Sequence, residues 1–448
     1  MKSIYESQYL IIGNSVGGTG AAEAIREADK AGTITIISDE PYPVYSRPLI
    51  SDYLAHPGLI EKMLYRKPDF YEEKRIRTMF GEKAVRIDPV ARVTTLESGK
   101  TLSWRKLLLA TGGAPIVPVT PGSSLTGVFT FNKLDDAKAI DGFLKERRDQ
   151  VKAVVIGGGL IGVSVTEAMV KRGIRVTIIE MKDRILNTIL DEEASAMEAW
   201  ALAQRSVNVI TGHTVDRINP NLRGEVGGIT LDDGRLLACE MVVIAIGVRP
   251  RLELAKEAGI KTNRGVTVDR FMMTSAPDIY ACGDAAEAYD FVLGENRPTP
   301  VWPNAYDGGR TAGLNMAGIP TEYRGGTAMN ALKYFDTNIV SAGLVTPTDA
   351  HYETLSFKRN GAYRKVIVKD NKVAGFVFAG DIGKSGIVYN LMKDGTDVSG
   401  FKKRLVDDSF GIASLPEAIR RERLPEPAAD AVMMMGAARQ SEEALIGD

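Results

Sequence analysis

The sequence predicts an α/β protein with two nested Rossmann-like units and a C-terminal α+β domain. Two stretches share one order of elements: a short apolar strand, a glycine-rich turn, a helix and a second strand. They lie more than a hundred residues apart, starting near residues 9 and 153. From about residue 326 the pattern changes to strands joined by hairpin turns. The duplication therefore indicates two dinucleotide-type subdomains followed by a domain of another type.

The first unit has a strand over residues 9–12, an alanine-rich helix over 17–31 and a strand rich in β-branched residues over 33–37. A dinucleotide site needs a tight turn, close approach of the backbone to pyrophosphate and a helix N-terminus aimed at the phosphates. The turn between this first strand and helix is in the right place to supply all three.

The turn of the first unit departs from the usual glycine pattern at one position. Gly13 and Gly18 fill the first and third glycine positions, and Ser15 fills the middle one, where its hydroxyl can donate to phosphate. Taken alone, such a turn suits a hydrolase or another α/β protein equally well. An acid after the second strand should bind ribose hydroxyls, and Asp39 and Glu40 are both candidates.

The second unit carries an unbroken GxGxxG between a strand over 153–156 and a helix over 163–172, followed by a strand over 174–179. The turn consists of Gly157, Gly158, Gly159, Leu160, Ile161 and Gly162. Glu180 ends the next strand, where a carboxylate accepts bonds from ribose hydroxyls and repels a 2′-phosphate. NADH is therefore expected in preference to NADPH, although Lys182 and Arg184 weaken that inference unless they are solvated loop residues.

The remaining predicted elements are strands and hairpins. They are strands over 91–96, 101–104, 107–110 and 241–246, a hairpin over 229–236 with Asp233-Gly234 as its turn, and a hairpin over 365–378 with Asp370-Asn371 as its turn.

Composition and charge exclude several classes of function. The net charge is −1 and charged residues make up 25%, so nothing indicates binding to nucleic acid or to an acidic membrane surface. No window approaches the roughly 18 apolar residues of a membrane-spanning helix, and no signal peptide is recognised at the N-terminus.

The two cysteines, Cys239 and Cys282, form neither a CxxC nor a CxxxxC pattern, which fits a cytoplasmic protein without a disulfide framework. No metal site is expected, because none of the three histidines has a metal-ligand spacing; they are His56, His213 and His351.

Three further strings, together with the two turns, closely resemble the FAD/NAD-linked reductases of the pyridine nucleotide–disulfide oxidoreductase superfamily. The strings are ATGGAP at residues 110–115, AIGVRP at 245–250 and YACGDA at 280–285. A fourth segment, YSRPL at 45–49, resembles the ferredoxin-, rubredoxin- and nitrite-reductase-like branch. The resemblance covers residue 1 to about residue 420.

The resemblance implies that the first unit binds FAD and the second binds NAD(H), with Gly247 on the NAD side. Thr111 and Gly112 would lie where the chain leaves the FAD domain. Asp284 would bind the ribityl hydroxyls of FAD, although it also suits a helix N-cap. Arg47 would contact FAD, with a surface salt bridge as the alternative. Trp302 belongs to the string VWPNA, which precedes a helix whose positive end would face the flavin pyrimidine ring.

The same resemblance implies a division of the chain into four parts. Residues 1–117 and 251–325 would form a discontinuous FAD domain, and residues 118–250 the NAD(H) domain. Residues 326–424 would form a C-terminal interface domain, and residues 425–448 a tail. A homodimer is expected through the C-terminal domain. The apolar candidates for its interface, which suit the domain core equally well, are residues 333–335 and 376–378.

The chain departs from the superfamily pattern beside flavin N5. Redox cysteines are missing, and so is the Lys–Glu pair of many relatives, since Asp52 and Ser164 occupy the two positions. Their joint loss is coherent, because one buried charge left alone would be costly. Glu167 is a candidate to take the place of the missing Glu, but its spacing suits a solvated helix face equally well.

These features predict an FAD-dependent oxidoreductase in which hydride passes from NADH to FAD and electrons then pass to ferredoxin, rubredoxin or an iron–sulfur subunit, in either direction. Residues 407–424 with the tail offer extra surface for such a carrier, and the helix over 416–423 is basic on one side, as a solvated helix can also be. Two other functions stay open: an NADH oxidase that reduces oxygen, and a non-catalytic flavoprotein subunit.

Overall fold

A computed structural model describes residues 4–58, 60–147 and 151–423. The strands are β1 Ile4–Ile12, β2 Ile34–Ser38, β3 Ile76–Phe80, β4 Ala84–Asp88, β5 Val93–Leu96, β6 Thr101–Leu109, β7 Gly113–Pro115, β8 Val128–Thr130, β9 Lys152–Ile156, β10 Arg175–Glu180, β11 Asn208–Thr211, β12 Val215–Pro220, β13 Val226–Leu231, β14 Leu236–Leu237, β15 Met241–Ile244, β16 Val248–Pro250, β17 Val266–Thr267, β18 Ile279–Ala281, β19 Ala286–Asp290, β20 Glu295–Arg297, β21 Met329–Tyr334, β22 Thr337–Gly343, β23 Glu353–Arg359, β24 Ala362–Lys369 and β25 Lys372–Ala379. The α-helices are α1 Val16–Ala28, α2 Ile50–Ala55, α3 Ile60–Met63, α4 Phe70–Glu73, α5 Leu134–Lys145, α6 Leu160–Lys171, α7 Glu192–Gln204, α8 Glu253–Glu257, α9 Trp302–Met316, α10 Ser385–Lys393 and α11 Glu417–Arg423. Short 3-10 turns span Arg47–Leu49, Gly283–Ala285, Lys402–Val406 and Ile412–Ser414. Among these helices, none is both long and apolar enough to cross a membrane.

The first unit forms a seven-stranded sheet of order β3-β2-β1-β6-β5-β4, with β18 also paired to β6. Its centre is parallel, and β1 runs beside both β2 and β6. Because such strands are covered on both faces, their sequences are continuously apolar. Leu10 and Ile11 of β1, for example, are fully buried. Because β18 joins this sheet, residues beyond 250 complete a layer that begins at the N-terminus.

Helix α1 covers this sheet and packs along α9. Tyr306 donates to a Glu23 carboxylate oxygen at 3.1 Å, and Arg310 pairs with Glu27 at 2.6 Å, so two bonds tie the helices together. This packing brings the N-terminus of α9 beside the first glycine turn.

The second unit forms a five-stranded parallel sheet of order β11-β10-β9-β15-β8. Helix α6 follows β9 directly, so the GxGxxG joins the central strand to the helix. A small antiparallel sheet, β12-β13-β14, lies beside it and contains the predicted hairpin at Asp233-Gly234.

The C-terminal sheet is antiparallel, in the order β21-β22-β25-β24-β23. Asp370 and Asn371 join β24 to β25 with positive φ values of 48° and 58°, as a tight two-residue hairpin turn requires. Helix α10 packs on one face, and the predicted change of architecture after residue 326 is therefore confirmed.

Several predicted boundaries were wrong. The predicted strands over 101–104 and 107–110 are one strand, β6, because it stays in register with β1 along its whole length. The predicted helix over 17–31 ends at Ala28, because the Asp29 side chain accepts the backbone N–H groups of Ala31 and Gly32 at 2.9 and 2.8 Å. The helix predicted from residue 163 begins at Leu160, inside the glycine turn.

Of the two roles left open for the apolar candidates of the C-terminal domain, interface or core, the structure selects the core for three phenylalanines. Phe376 and Phe378 are fully buried in its core, and Phe335 is 9% exposed, so these residues are not available to a second subunit. Phe410 and Leu415 are buried in the same core, whereas most of the described residues between and after them are at the surface, such as Ile412, which is 44% exposed. A carrier surface on this stretch therefore stays a prediction. The predicted tail, residues 425–448, lies outside the described residues.

Candidate functional site

One large cavity lies where the two parallel sheets and the C-terminal sheet meet. Its volume is about 1620 Å³, beyond that of an ordinary single-ligand pocket. Both glycine turns open into it. The predicted site residues that line it are Gly13, Ser15, Asp39, Glu40, Arg47, Thr111, Gly112, Asp284 and Trp302 on the FAD side and Gly157, Gly159, Leu160, Ile161, Ser164, Glu180 and Gly247 on the NAD side.

The first turn leaves β1 at Gly13 and enters α1 at Ser15. Ser15 occupies the N-cap position but its side chain makes no capping hydrogen bond, so the hydroxyl can serve a ligand phosphate. Gly18 does not line the cavity. A Cβ there would lie 2.0 Å from the Gly13 carbonyl oxygen, so Gly18 permits close packing of helix on strand.

The second turn repeats this geometry. Gly159 is the N-cap of α6, and Gly162 lies against Gly157 instead of facing the cavity. Glu180 is 8% exposed and accepts the backbone N–H groups of Gly158 at 2.7 Å and Lys182 at 2.8 Å. The carboxylate therefore orders the turn, a role that the motif spacing did not reveal.

The two acids after β2 have different environments. Glu40 is 6% exposed, accepts the Tyr45 hydroxyl at 2.6 Å and pairs with Arg47. Asp39 is exposed at the cavity and has a single ion-pair partner, Arg251, at 3.0 Å. These contacts favour Asp39 as the ribose-binding acid.

Arg47 and Asp284 face each other across the FAD side. Arg47 also donates to the Asn132 carbonyl at 3.1 Å, so the ion-pair alternative and a place at the cavity coexist. Burial raises the pKa of Asp284, and the nearby Arg47 opposes that shift. The N-cap alternative for Asp284 was wrong, because Cys282 occupies the N-cap of that 3-10 turn.

The other predicted residues on the FAD side lie at chain crossings. Thr111 donates to the Arg251 carbonyl at 3.2 Å, where β7 and β16 run side by side between the two units. Trp302 is the first residue of α9 and packs edge-on against Tyr65, with ring centroids 5.3 Å apart. The positive end of α9 therefore borders the cavity, and its place beside the flavin ring stays a prediction.

Of the two residues predicted to lie near flavin N5, only one lines the cavity. Ser164 lines the cavity, but Asp52 is exposed on α2 and does not. Glu167 does not line the cavity either. It accepts the Phe335 backbone N–H at 3.1 Å and pairs with Lys171 at 3.4 Å, so it fastens the C-terminal sheet to α6.

Two groupings were not foreseen from the sequence. Strand β21 closes one wall of the cavity with Met329, Asn330, Ala331, Leu332 and Tyr334. At the rim, His213 lies 2.9 Å from Asp232 and 3.6 Å from Asp233. Both groupings join segments distant in sequence, and no local motif marks them.

The cysteines are buried. Cys282 lies at the cavity wall and Cys239 behind β15, and burial raises the pKa of each thiol to about 12. A thiol of such pKa is almost wholly protonated at neutral pH and is a poor nucleophile.

Comparison with known families shows two matches. Residues 7–309 match the family described as pyridine nucleotide-disulphide oxidoreductase. Residues 329–396 match the rubredoxin NAD+ reductase C-terminal domain.

Individual relatives extend over most of the chain. The NADH-dependent phenylglyoxylate dehydrogenase subunit epsilon of Aromatoleum evansii is 29% identical over 92% of this chain and 97% of its own. The assimilatory nitrate reductase electron transfer subunit of Bacillus subtilis (strain 168) is 30% identical over 90% of this chain, which spans only 51% of that protein. The solved ferredoxin reductase for the CYP199A2 system from Rhodopseudomonas palustris is 26% identical, covers 83% of this chain and 91% of its own, and superposes with a TM-score of 0.77.

Proposed function

Because the chain belongs to the pyridine nucleotide-disulphide oxidoreductase family, we propose that it oxidises NADH through FAD and passes the electrons singly to a protein carrier of the rubredoxin, ferredoxin or iron–sulfur-subunit type. The observation that carries the proposal is the single cavity shared by both glycine turns. Two dinucleotides that enter from opposite turns can bring their reactive rings together only in such a continuous space.

The residues at the cavity fit both cofactors. The N-termini of α1 and α6 present backbone N–H groups to two pyrophosphates, and Asp39 and Glu180 offer acceptors to two riboses. Asp284 offers an acceptor to the ribityl chain. FAD, when bound, supplies the conversion between a hydride and single electrons, and the protein supplies position and charge.

The nicotinamide cofactor is expected to be NADH. Glu180 ends the strand that follows the GxGxxG helix and lines the cavity. A carboxylate at that place accepts bonds from the ribose hydroxyls of NADH and repels the 2′-phosphate of NADPH. Lys182 is exposed at the cavity, whereas Arg184 pairs with its neighbour Asp183. NADPH sites commonly use an arginine to bind the 2′-phosphate, and the arginine on this loop already has a carboxylate partner.

A carrier protein is the acceptor that the rest of the chain favours. Both thiols are buried, so neither can relay electrons to a disulfide substrate. The C-terminal sheet matches the rubredoxin reductase domain and forms a wall of the cavity. The basic helix α11 gives less support, because its Arg421 pairs with Glu417 of the same helix.

An anaerobic titration followed by acceptor addition tests the proposal. NADH should bleach the flavin band of the purified protein, and oxidised rubredoxin or a [2Fe–2S] ferredoxin should restore it within a turnover. Restoration by air alone, with neither carrier accepted, would instead establish an oxygen-reducing NADH oxidase. Flavin that NADH does not bleach would leave only a non-catalytic subunit.

Oligomeric state and location follow as parts of the same proposal. The two free, buried cysteines suit the reducing cytoplasm. A homodimer must use residues other than the buried apolar candidates of the C-terminal core. Light scattering on the purified holoprotein gives the mass directly.

A further inference from the structure

Strand β21 reaches helix α6 at the point where the two nucleotide sites approach each other. The Tyr334 hydroxyl lies 3.5 Å from the Leu160 carbonyl oxygen and hydrogen-bonds with the Ser164 side chain. All three residues line the cavity. A side chain from the C-terminal sheet therefore lies against the first turn of the NAD helix, inside the site.

The position of Tyr334 is fixed from outside the cavity. The next residue, Phe335, donates its backbone N–H to Glu167 at 3.1 Å, one helical turn beyond Ser164. Asp336, at the same hairpin tip, pairs with Arg205 at the end of α7 at 2.9 Å. The hairpin is thus anchored on two helices of the second unit, which holds the phenol in one place without using its hydroxyl.

The side chains at this part of the cavity are neutral hydroxyls, unlike the Lys–Glu pair that many relatives carry beside flavin N5. A Lys–Glu pair is missing here, since Ser164 stands in one position and Asp52, in the other, points to solvent. Burial raises the pKa of Tyr334 to about 12, and the bond from Ser164 opposes that shift, so the phenol stays neutral at working pH. Two neutral hydroxyls, each able to donate and accept, match the carbonyl and amino groups of a carboxamide.

We propose that Tyr334, together with Ser164, positions the nicotinamide carboxamide of NADH for hydride transfer. The inference rests on the proposed function and assigns a role at that site to a residue of the C-terminal sheet. The GxGxxG turn would hold the pyrophosphate at the start of α6, and the cavity runs on from there to the first glycine turn, which leaves room for the nicotinamide between the two. Tyr334 and Ser164 border this path, and a ring held at reacting distance gains rate through orientation.

Tyr334→Phe removes only the hydroxyl, and Tyr363→Phe is its matched control. Tyr363 donates to Asp191 at 2.5 Å across the same boundary between the C-terminal sheet and the second unit, but it does not line the cavity. Anaerobic stopped-flow reduction by NADH should show a limiting rate about tenfold lower for Tyr334→Phe, the size of one lost hydrogen bond in the transition state. Tyr363→Phe should stay within about twofold of the wild type on that limiting rate.

A measurement without turnover accompanies the kinetics. Titration of NAD+ into the oxidised holoprotein should perturb the visible flavin band, and Tyr334→Phe should reduce that perturbation while Tyr363→Phe leaves it intact. Ser164→Ala combined with Tyr334→Phe should lose little more than Tyr334→Phe alone, because the two hydroxyls act as a unit.

Two results would overturn the assignment: an unchanged rate and spectrum in Tyr334→Phe, or equal losses in Tyr334→Phe and Tyr363→Phe, which would show a merely structural role. Wild-type flavin that NADH fails to reduce would instead refute the proposed function itself. The two failures are therefore distinguishable.

Discussion

Gly162 in helix α6 lies directly against the backbone of Gly157 at the end of strand β9. A Cβ at residue 162 would lie 1.9 Å from the Gly157 carbonyl oxygen, and the first unit repeats the relationship with 2.0 Å between Gly18 and Gly13. No side chain fits at either contact without moving the helix away from its strand. The third glycine of each turn thus sets how closely the helix packs on its strand, and in the proposed function it fixes where the helix N-terminus meets a pyrophosphate.

Gly162→Ala should therefore weaken NAD binding while leaving FAD in place. The added methyl meets a backbone carbonyl, so α6 must shift. Its N-terminal N–H groups then no longer point at the pyrophosphate. We expect the dissociation constant for NAD+, measured by calorimetry on the holoprotein, to rise at least about tenfold, equivalent to 1.4 kcal/mol. The FAD content per chain should not change, because the first unit has its own turn.

Gly142→Ala is the matched control for that prediction. Gly142 is an exposed residue of α5 with open space around its Cβ position. Alanine there should leave NAD+ binding unchanged and stabilise the helix by up to about 1 kcal/mol. An NAD+ affinity equal in Gly162→Ala and wild type would contradict the packing argument.

Asp39 and Glu40 should separate into a ligand-binding and a structural acid. Asp39→Ala should weaken FAD binding about tenfold, because the ribose loses a charged acceptor worth 1.5 kcal/mol or so. Glu40→Ala should instead lower the thermal midpoint of the FAD-free protein, because Arg47 and the Tyr45 hydroxyl lose a buried partner. Fluorescence of free FAD during reconstitution and thermal unfolding of the stripped protein measure the two effects. The reverse pattern would assign the ribose to Glu40.

The features that neighbouring residues determine were predicted correctly from the sequence. Both glycine turns, their placement between strand and helix, and the hairpin at Asp370-Asn371 follow from short-range rules and are present in the structure. The choice between Asp39 and Glu40 could not be made this way. It depends on Tyr45 and Arg47, which reach Glu40 only after the chain has folded back.

The wall formed by β21 was missed for a related reason. Tyr334 lies 170 residues from Ser164 in sequence, and Tyr334 stands in no recognisable motif. Glu167 was equally ambiguous, since its helical spacing fits a solvated face until the C-terminal sheet covers it. Contacts of this kind come from the packing of domains, which periodicity within one element does not encode.

Glu198 should make the protein less stable as the pH rises. It is fully buried in α7, both its carboxylate oxygens lack a hydrogen-bond partner among the described residues, and burial, with a smaller effect of Glu167, raises its pKa to about 8. In the unfolded chain the carboxyl ionises near its ordinary pKa of 4.5. Between these values the unfolded state binds fewer protons, so stability is lost from about pH 4.5 to about pH 8.

Glu198→Gln removes this titration. Its gain in unfolding free energy over wild type should be below about 1 kcal/mol at pH 5 and on the order of 4 kcal/mol at pH 8.5. Thermal midpoints measured at several pH values test the slope. Glu192→Gln, at an exposed position of the same helix, should leave the slope unchanged. A pH dependence identical in Glu198→Gln and wild type would show that the carboxyl is already ionised in the folded protein.

Turnover should not need either cysteine. Cys239 and Cys282 are at most 1% exposed, and their thiols stay protonated because burial raises each pKa to about 12. A Cys239→Ala, Cys282→Ala variant should keep the wild-type rate of NADH-dependent carrier reduction within about twofold, with some loss of thermal stability, since each change deletes a buried sulfur. The native protein should react with a thiol reagent only after unfolding, when both sulfurs become accessible. The variant could still bind FAD and be bleached by NADH yet fail to reduce the carrier. That result would mean that a thiol lies on the electron path, and it would replace the carrier-reductase proposal with a disulfide mechanism.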